Sequence, residues 1–245
     1  AQLTIAIINF WYTTSRSPLL QFKKNEPFFL EKHTLQNAFS IGTPLAFEHI
    51  AICGAMIMST KIIAPLGTIA IAAHSFAVTA ESLCYMPGYG LEAAATTLVG
   101  QCMGAKRKEL AKSFSNFTIA FGAIIMGIIA IIMFFIAPFV FQILTPDLQT
   151  QTLATNVLRI ELLAEPLYGV SIVASGALRG AGDTLIPSLL NLLCIWGVRL
   201  TLSVILVQTM GLYGVWLAMC IELCVRGLLL LYRQQRGKWL HKDLS

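Results

Sequence analysis

Carboxylates set in otherwise apolar stretches are the residues best placed to do chemistry in this chain. Glu48, Glu81, Glu161 and Glu165 each interrupt a long hydrophobic run. Glu161 and Glu165 share one helical face at i, i+4, and Tyr168 follows three residues after Glu165, adding a hydroxyl on nearly the same face. A carboxylate withdrawn from water resists ionisation, and neighbouring carboxylates strengthen that resistance. Such groups can take up and release a proton near neutral pH, or hold a small cation, which is the chemistry of ion coupling.

Bond-breaking chemistry lacks its partners. Gly180-Ala181-Gly182-Asp183 has the Gly-x-Gly-Asp form found around one catalytic Asp of intramembrane aspartyl proteases. That reaction needs two Asp sharing a proton, but Asp147 and Asp243 fall in a loop and in the C-terminal tail. Asp183 is instead placed to pair with Arg179 at i, i+4. No His-Glu-x-x-His and no Walker lysine occurs. The six cysteines (Cys53, Cys84, Cys102, Cys194, Cys220 and Cys224) lie in or at the ends of apolar stretches, as small buried hydrophobes do. Cys220 and Cys224 share a helix face, but no further ligand accompanies them. The reading is a non-enzyme with no catalytic residue, metal site or cofactor, its coupling ion H⁺ or Na⁺.

The elements that position these acids must be membrane helices. Of 245 residues, 56% are hydrophobic and only 12% charged, and the mean hydropathy is +0.74. A soluble domain carries about 25% charged residues, so a water-soluble fold and a disordered chain are both excluded. A ~30 Å hydrocarbon core needs about 20 helical residues. Six stretches qualify, over about 38–63, 69–99, 113–144, 152–178, 185–207 and 212–232. The fold class is therefore all-α, a polytopic six-transmembrane-helix bundle in the lipid bilayer. Counted from the helix starts, Glu48 and Glu81 fall near the midplane and Glu165 lies deeper than Glu161.

The other intramembrane charges suit a structural role. Glu222 and Arg226 form an i, i+4 pair in the favourable order. Arg199 is placed to compensate Glu161, Glu165 or Glu222, and Glu92 lies toward a basic helix end. Pro87 and Gly88 inside the second helix offer a hinge or a static kink. Phe47, Phe76, Tyr85 and Tyr89 are candidates to line an amphiphile cavity, which reads as acidic. His49 and His74 read as satisfied polar residues.

Basic residues fix the expected orientation. Thirteen of the seventeen Lys and Arg fall before helix one, between helices two and three, after helix four and after helix six, whereas the alternate loops hold only Lys61. Positive loops stay cytoplasmic, so both ends of the bundle are expected there, in a plasma or inner membrane. The net charge of +5 forms no stripe with stacking aromatics, so nucleic acid is not a partner. Residues 3–12 form an apolar run of only ~15 Å as a helix. They read as the end of a preceding transmembrane helix (1–12), followed by a cytoplasmic linker (13–35), the six-helix lobe (36–232) and a basic tail (233–245).

Several strings carry a family resemblance. These are Ala72-Ala73-His74-Ser75, the run Glu81-Ser82-Leu83-Cys84-Tyr85-Met86-Pro87-Gly88-Tyr89-Gly90, Leu98-Val99-Gly100-Gln101-Cys102-Met103-Gly104-Ala105, and Gly176-Ala177-Leu178-Arg179-Gly180-Ala181-Gly182-Asp183-Thr184. Pro44 with Glu48, Trp196 with Arg199, and Gly211-Leu212-Tyr213-Gly214-Val215-Trp216 follow the same order. Together, over about 36–239, they resemble the C-terminal lobe of multidrug and toxic compound extrusion (MATE) transporters. The resemblance implies a twelve-helix, two-lobe antiporter whose N-terminal lobe is missing from this sequence. It implies export of amphiphilic organic cations and other xenobiotics in exchange for H⁺ or Na⁺ by alternating access. It further implies cation or substrate contacts at Glu48 and Glu81. In helix ten of the family, some branches carry an Asp ten residues before the Leu of a Leu-Arg-Gly motif; here that position is Tyr168, and the acid stands one turn earlier, at Glu165. A lipid-linked oligosaccharide flippase of the same superfamily is the alternative transporter, expected to have a more cationic cavity. A truncated, non-transporting membrane subunit is the alternative outside transport.

Overall fold

A computed structural model describes residues 2–16 and 32–241 of the chain. Every element among them is helical: α1 (Gln2–Arg16), α2 (Lys32–Ile63), a 3-10 turn (Ala64–Leu66), α3 (Thr68–Gly104), α4 (Lys108–Leu144), α5 (Leu148–Leu162), α6 (Glu165–Gly180), α7 (Leu185–Leu193), a π-helical segment (Cys194–Leu200), α8 (Thr201–Met210), α9 (Leu212–Gln235) and a last 3-10 turn (Lys238–His241). The chain divides into two units, Ala1–Phe39 and Ser40–Ser245. In the first, the apolar run 3–12 lies within α1. Residues 13–16 and 32–35 of the expected linker are helical. Residues 17–31, and 242–245 of the expected tail, lie outside the described residues.

Five helices of the second unit are long and apolar enough to cross a membrane: Gly42–Leu66, Thr68–Gly104, Lys108–Leu144, Leu185–Met210 and Leu212–Gln235. The sixth expected span, 152–178, is not one helix but the pair α5 and α6, broken at Leu163 and Ala164. Pro166 accounts for the break. It has no N–H to give the carbonyl of Leu162, and its ring crowds that carbonyl. The chain compensates locally, with Ala164 N–H donating to Glu161 O at 2.7 Å and Tyr168 N–H to Ala164 O at 2.8 Å.

On α3 and α4 most large side chains face outward and mostly small ones inward, the pattern expected where lipid replaces water. On α3 the buried face is Ala70, Ala73, Ala77, Ala80, Cys84 and Gly88, at helical spacing, while Leu83 and Met86 are exposed. On α4, Phe117, Ile124, Ile128, Ile131, Phe135 and Phe139 all face outward. The broken pair sits at the centre, and α6 buries most of its length against α3, α4 and α9. At 16 residues α6 is too short to cross a membrane alone, and the break that shortens it leaves it packed among its neighbours.

Two glycines bring α6 against α3. A Cβ on Gly180 would strike the backbone of Thr96, and one on Gly176 would strike Glu92. The resulting contact lets Thr96 Oγ1 donate to Gly176 O at 2.9 Å and places Arg179 beside Glu92. The π-helical segment carries Trp196, whose Nε1 donates to Ala51 O of α2 at 3.1 Å. At the C-terminal end of α9, Gly237 turns the chain at φ +68° and Trp239 tucks back into the core. Asp183 pairs with Arg233 at 2.8 Å. The expected Asp183–Arg179 pair does not form, because Arg179 is engaged elsewhere.

Candidate functional site

The helix break gathers three of the four candidate acids. Glu161 lies in the last turn of α5, Glu165 opens α6, and Glu81 reaches them from the middle of α3. All three are buried. Neither oxygen of Glu161 or of Glu165 has a hydrogen-bond partner among the described residues. The three are close enough to act on one another electrostatically, and Cys84, one turn beyond Glu81, lies within range of all of them. The helix ends differ in what they offer: the carbonyl end of α5 is unfavourable to an anion at Glu161, and the N–H end of α6 favourable to one at Glu165.

Arg199 lies within electrostatic range of Glu81 and Glu161, and Arg226 within range of Glu81. Arg199 makes no ion pair with Glu161, Glu165 or Glu222, contrary to expectation. Its Nη2 lies 3.0 Å from Met219 Sδ instead. The π-helical segment places Arg199 at its last but one residue, a register that straight helical counting does not give. Glu222 and Arg226 stand 3.1 Å apart. His74 packs edge-on to Trp216, with ring centroids 5.7 Å apart.

Glu48 is not part of the cluster. Its carboxylate accepts from Arg179 Nη2 at 2.9 Å, Ser188 Oγ at 2.6 Å and Asn191 Nδ2 at 2.7 Å. Arg179 also donates to Glu92 Oε1 at 2.9 Å. Glu48 is therefore held in a bonded network of its own, apart from the acids at the helix break. Three charges thus tie α2, α3 and α6 together, with α7 supplying the neutral donors.

A cavity of about 550 Å³ opens beside this network, its wall including Glu48, Glu92, Arg179, Arg226, Tyr89 and Tyr168. Two carboxylates and two guanidinium groups face it, so the cavity is not acidic as expected but carries both signs. Tyr168 faces this space beside Tyr89, with Arg226 5.2 Å above its ring. Of the other aromatic candidates, Tyr85 packs edge-on to Tyr89 and Tyr168, Phe47 lines a separate groove of about 240 Å³, and Phe76 packs against the core. His49 lines the cavity. Pro87 and Gly88 lie within α3, which continues through them, while Gly88 lets Met126 approach.

Sequence reasoning missed Pro166 as the breaker and Arg179 as the hub. Pro166 was detectable as a proline directly after an intramembrane acid. The partners of Arg179 were not, because Glu48 lies 131 residues away.

Comparison with known proteins gives a consistent result. The MatE family profile matches residues 44–205. A probable multidrug resistance protein NorM of Thermotoga maritima is 29% identical over 225 residues, 88% of this chain and 48% of the relative. Another, of Mannheimia succiniciproducens, is 31% identical over 212 residues, 83% of this chain and 45% of the relative. The chain spans about half the length of these relatives. Among solved structures, an outward-facing multidrug resistance MATE family transporter of the MOP superfamily superposes with TM-score 0.87 at 19% identity, covering 99% of this chain and 55% of that one. A Vibrio cholerae MATE transporter, VcmN, in its bent form gives 0.83 at 14% identity, covering 96% and 53%.

Proposed function

The chain belongs to the MatE family, and on that premise we propose that it is the C-terminal lobe of a secondary active exporter of amphiphilic organic cations. The exchanged ion is H⁺ or Na⁺, and the lobe works with a second, N-terminal lobe by alternating access. The observation that carries this reading is the cluster of Glu81, Glu161 and Glu165 at a broken membrane helix, buried and, for Glu161 and Glu165, without a donor among the described residues. An ionised carboxylate so placed is costly unless something neutralises it. A proton or a small cation does so, and its arrival or departure changes the local free energy by enough to bias a two-state equilibrium. Discontinuous membrane helices are where transporters hold their coupling ions and substrates. Glu48 plays a supporting part in this scheme, holding α2 against α6 and α7.

The test is flux driven by an imposed gradient. The protein at its full natural length, in proteoliposomes, is expected to accumulate a fluorescent organic cation when an opposing H⁺ or Na⁺ gradient is applied, and to stop when that gradient is collapsed. Accumulation indifferent to both gradients would sink the proposal.

A further inference from the structure

Arg199 is a half-buried cation that touches no carboxylate among the described residues. Its Nε is enclosed and has no hydrogen-bond partner there. Its Nη2 rests 3.0 Å from Met219 Sδ, and a thioether sulfur is only a weak acceptor. Two other guanidinium groups of the lobe are in contact with acids: Arg179 with Glu48 and Glu92 at 2.9 Å, and Arg226 with Glu222 at 3.1 Å. The acids at the helix break show the opposite want, since the four oxygens of Glu161 and Glu165 have no donor among the described residues. Glu81 is buried with them. Of the charged groups acting on Glu81, Arg199 is the strongest, ahead of Arg226 and Glu222. Its field also reaches Glu161 and His74, and the thiols of Cys84 and Cys220 stand beside the same acids.

Arg199 and the acids are thus within range and out of contact, an arrangement that a neutral cluster permits. An ionised cluster does not, because a guanidinium and a carboxylate attract steeply where the dielectric is low. The means to move are present on the side of Arg199. Its side chain is long and flexible, Met219 repacks easily, and its backbone lies in the π-helical segment, a geometry concentrated at functional sites. We propose that Arg199 is a tethered counter-ion for the coupling site: its guanidinium rests on Met219 while the ion is bound and crosses to Glu81 when the ion leaves. The charges balance one for one. Departure of H⁺ or Na⁺ bares one negative charge on the cluster, and the guanidinium covers it. Ion and guanidinium therefore exclude each other. Arg199 weakens ion binding and keeps the ion-free, substrate-loaded lobe from carrying a bare intramembrane charge, which is costly. The assignment rests on the reading of the acid cluster as the coupling site.

The test is ethidium flux through the full-length protein in proteoliposomes, measured against the concentration of the driving ion, Na⁺ at fixed pH and H⁺ without Na⁺. Arg199→Gln removes the competitor and should lower the half-maximal ion concentration at least about fivefold, the low end of ordinary coupling between sites. Arg199→Lys keeps the charge and should fall between Arg199→Gln and the unmodified protein. Met219→Leu removes the resting contact and should raise the half-maximal concentration about twofold or more, by shifting the guanidinium toward the acids. Opposite shifts from two residues in contact are not what a loss of packing produces. A change below about twofold for Arg199→Gln, or no rise for Met219→Leu, overturns the tethered counter-ion alone. Should Arg199→Gln fail to fold, Met219→Leu decides by the same criterion. Ethidium flux that ignores both ions in the unmodified protein overturns the proposed function, and this inference with it.

Discussion

At the scale of single residues, the intramembrane charges separate into two kinds that respond oppositely to neutralisation. Glu48, Glu92 and Arg179 are held by direct bonds. Removing one member of a buried pair typically costs ~3–5 kcal/mol because the remaining charge is stranded. Arg179→Met should therefore lower the thermal unfolding midpoint in detergent sharply, and Glu48→Gln/Glu92→Gln made in the same chain should restore much of the loss. Glu161 and Glu165 lose no bond when neutralised, so Glu161→Gln and Glu165→Gln should leave that midpoint unchanged or raise it. A large drop for either would mean that an ionic partner holds it. Outside the membrane, Asp147 caps α5, accepting from Thr150 N and Thr150 Oγ1. These bonds hold its carboxyl below the usual carboxylate range. The cap stabilises fully above the unfolded-state pKa of ~3.9, and its contribution fades as pH falls through the lower folded value. Asp147→Ala should flatten that acid limb in a pH series of α5 amide exchange.

At the scale of elements, the break between α5 and α6 and the α3–α6 contact determine where the functional groups stand. Pro166→Ala restores a backbone donor to the carbonyl of Leu162 and allows α5 and α6 to join. Gradient-driven flux should fall at least tenfold while the protein still inserts and folds. A proline variant with normal flux would show that the discontinuity is incidental. Gly180→Ala places a methyl against the Thr96 backbone; overpacking of this kind costs ~1–3 kcal/mol, and it should also loosen the bond between Arg179 and Glu92. Much of this architecture was legible in the residues. The charge-free run of α4 and the turns at Ala64-Pro65-Leu66-Gly67 and Met210-Gly211 mark helix ends through chemistry that acts over a few residues. The break at 163–164 was hidden because apolar residues continue on both sides of it. The π-helical register at Cys194–Leu200 was hidden because one extra residue per turn leaves no compositional trace. The cavity's mixed charge was illegible for a third reason: Arg179 and Arg226 reach it from helices 47 residues apart in sequence, so only the packed bundle shows which acids they face.

At the scale of the molecule, this is a membrane protein of the MatE family. The proposed orientation puts the loop at 106–108 in the cytoplasm and the loop at 145–147 outside. Cysteines introduced by Lys108→Cys and Gln149→Cys should differ accordingly. In right-side-out vesicles an impermeant maleimide should label position 149 above the background of the six native cysteines, and position 108 only after permeabilisation; the reverse pattern would invert the topology. The central claim is that the carboxylates at the broken helix carry the coupling ion. It is tested most directly by gradient-driven organic-cation flux in proteoliposomes of the full-length protein with Glu81→Gln, Glu161→Gln and Glu165→Gln made singly. The account predicts that at least one of the three folds normally, still binds the organic cation and loses its response to the imposed ion gradient. Flux that keeps its full dependence on the gradient in all three variants would contradict it.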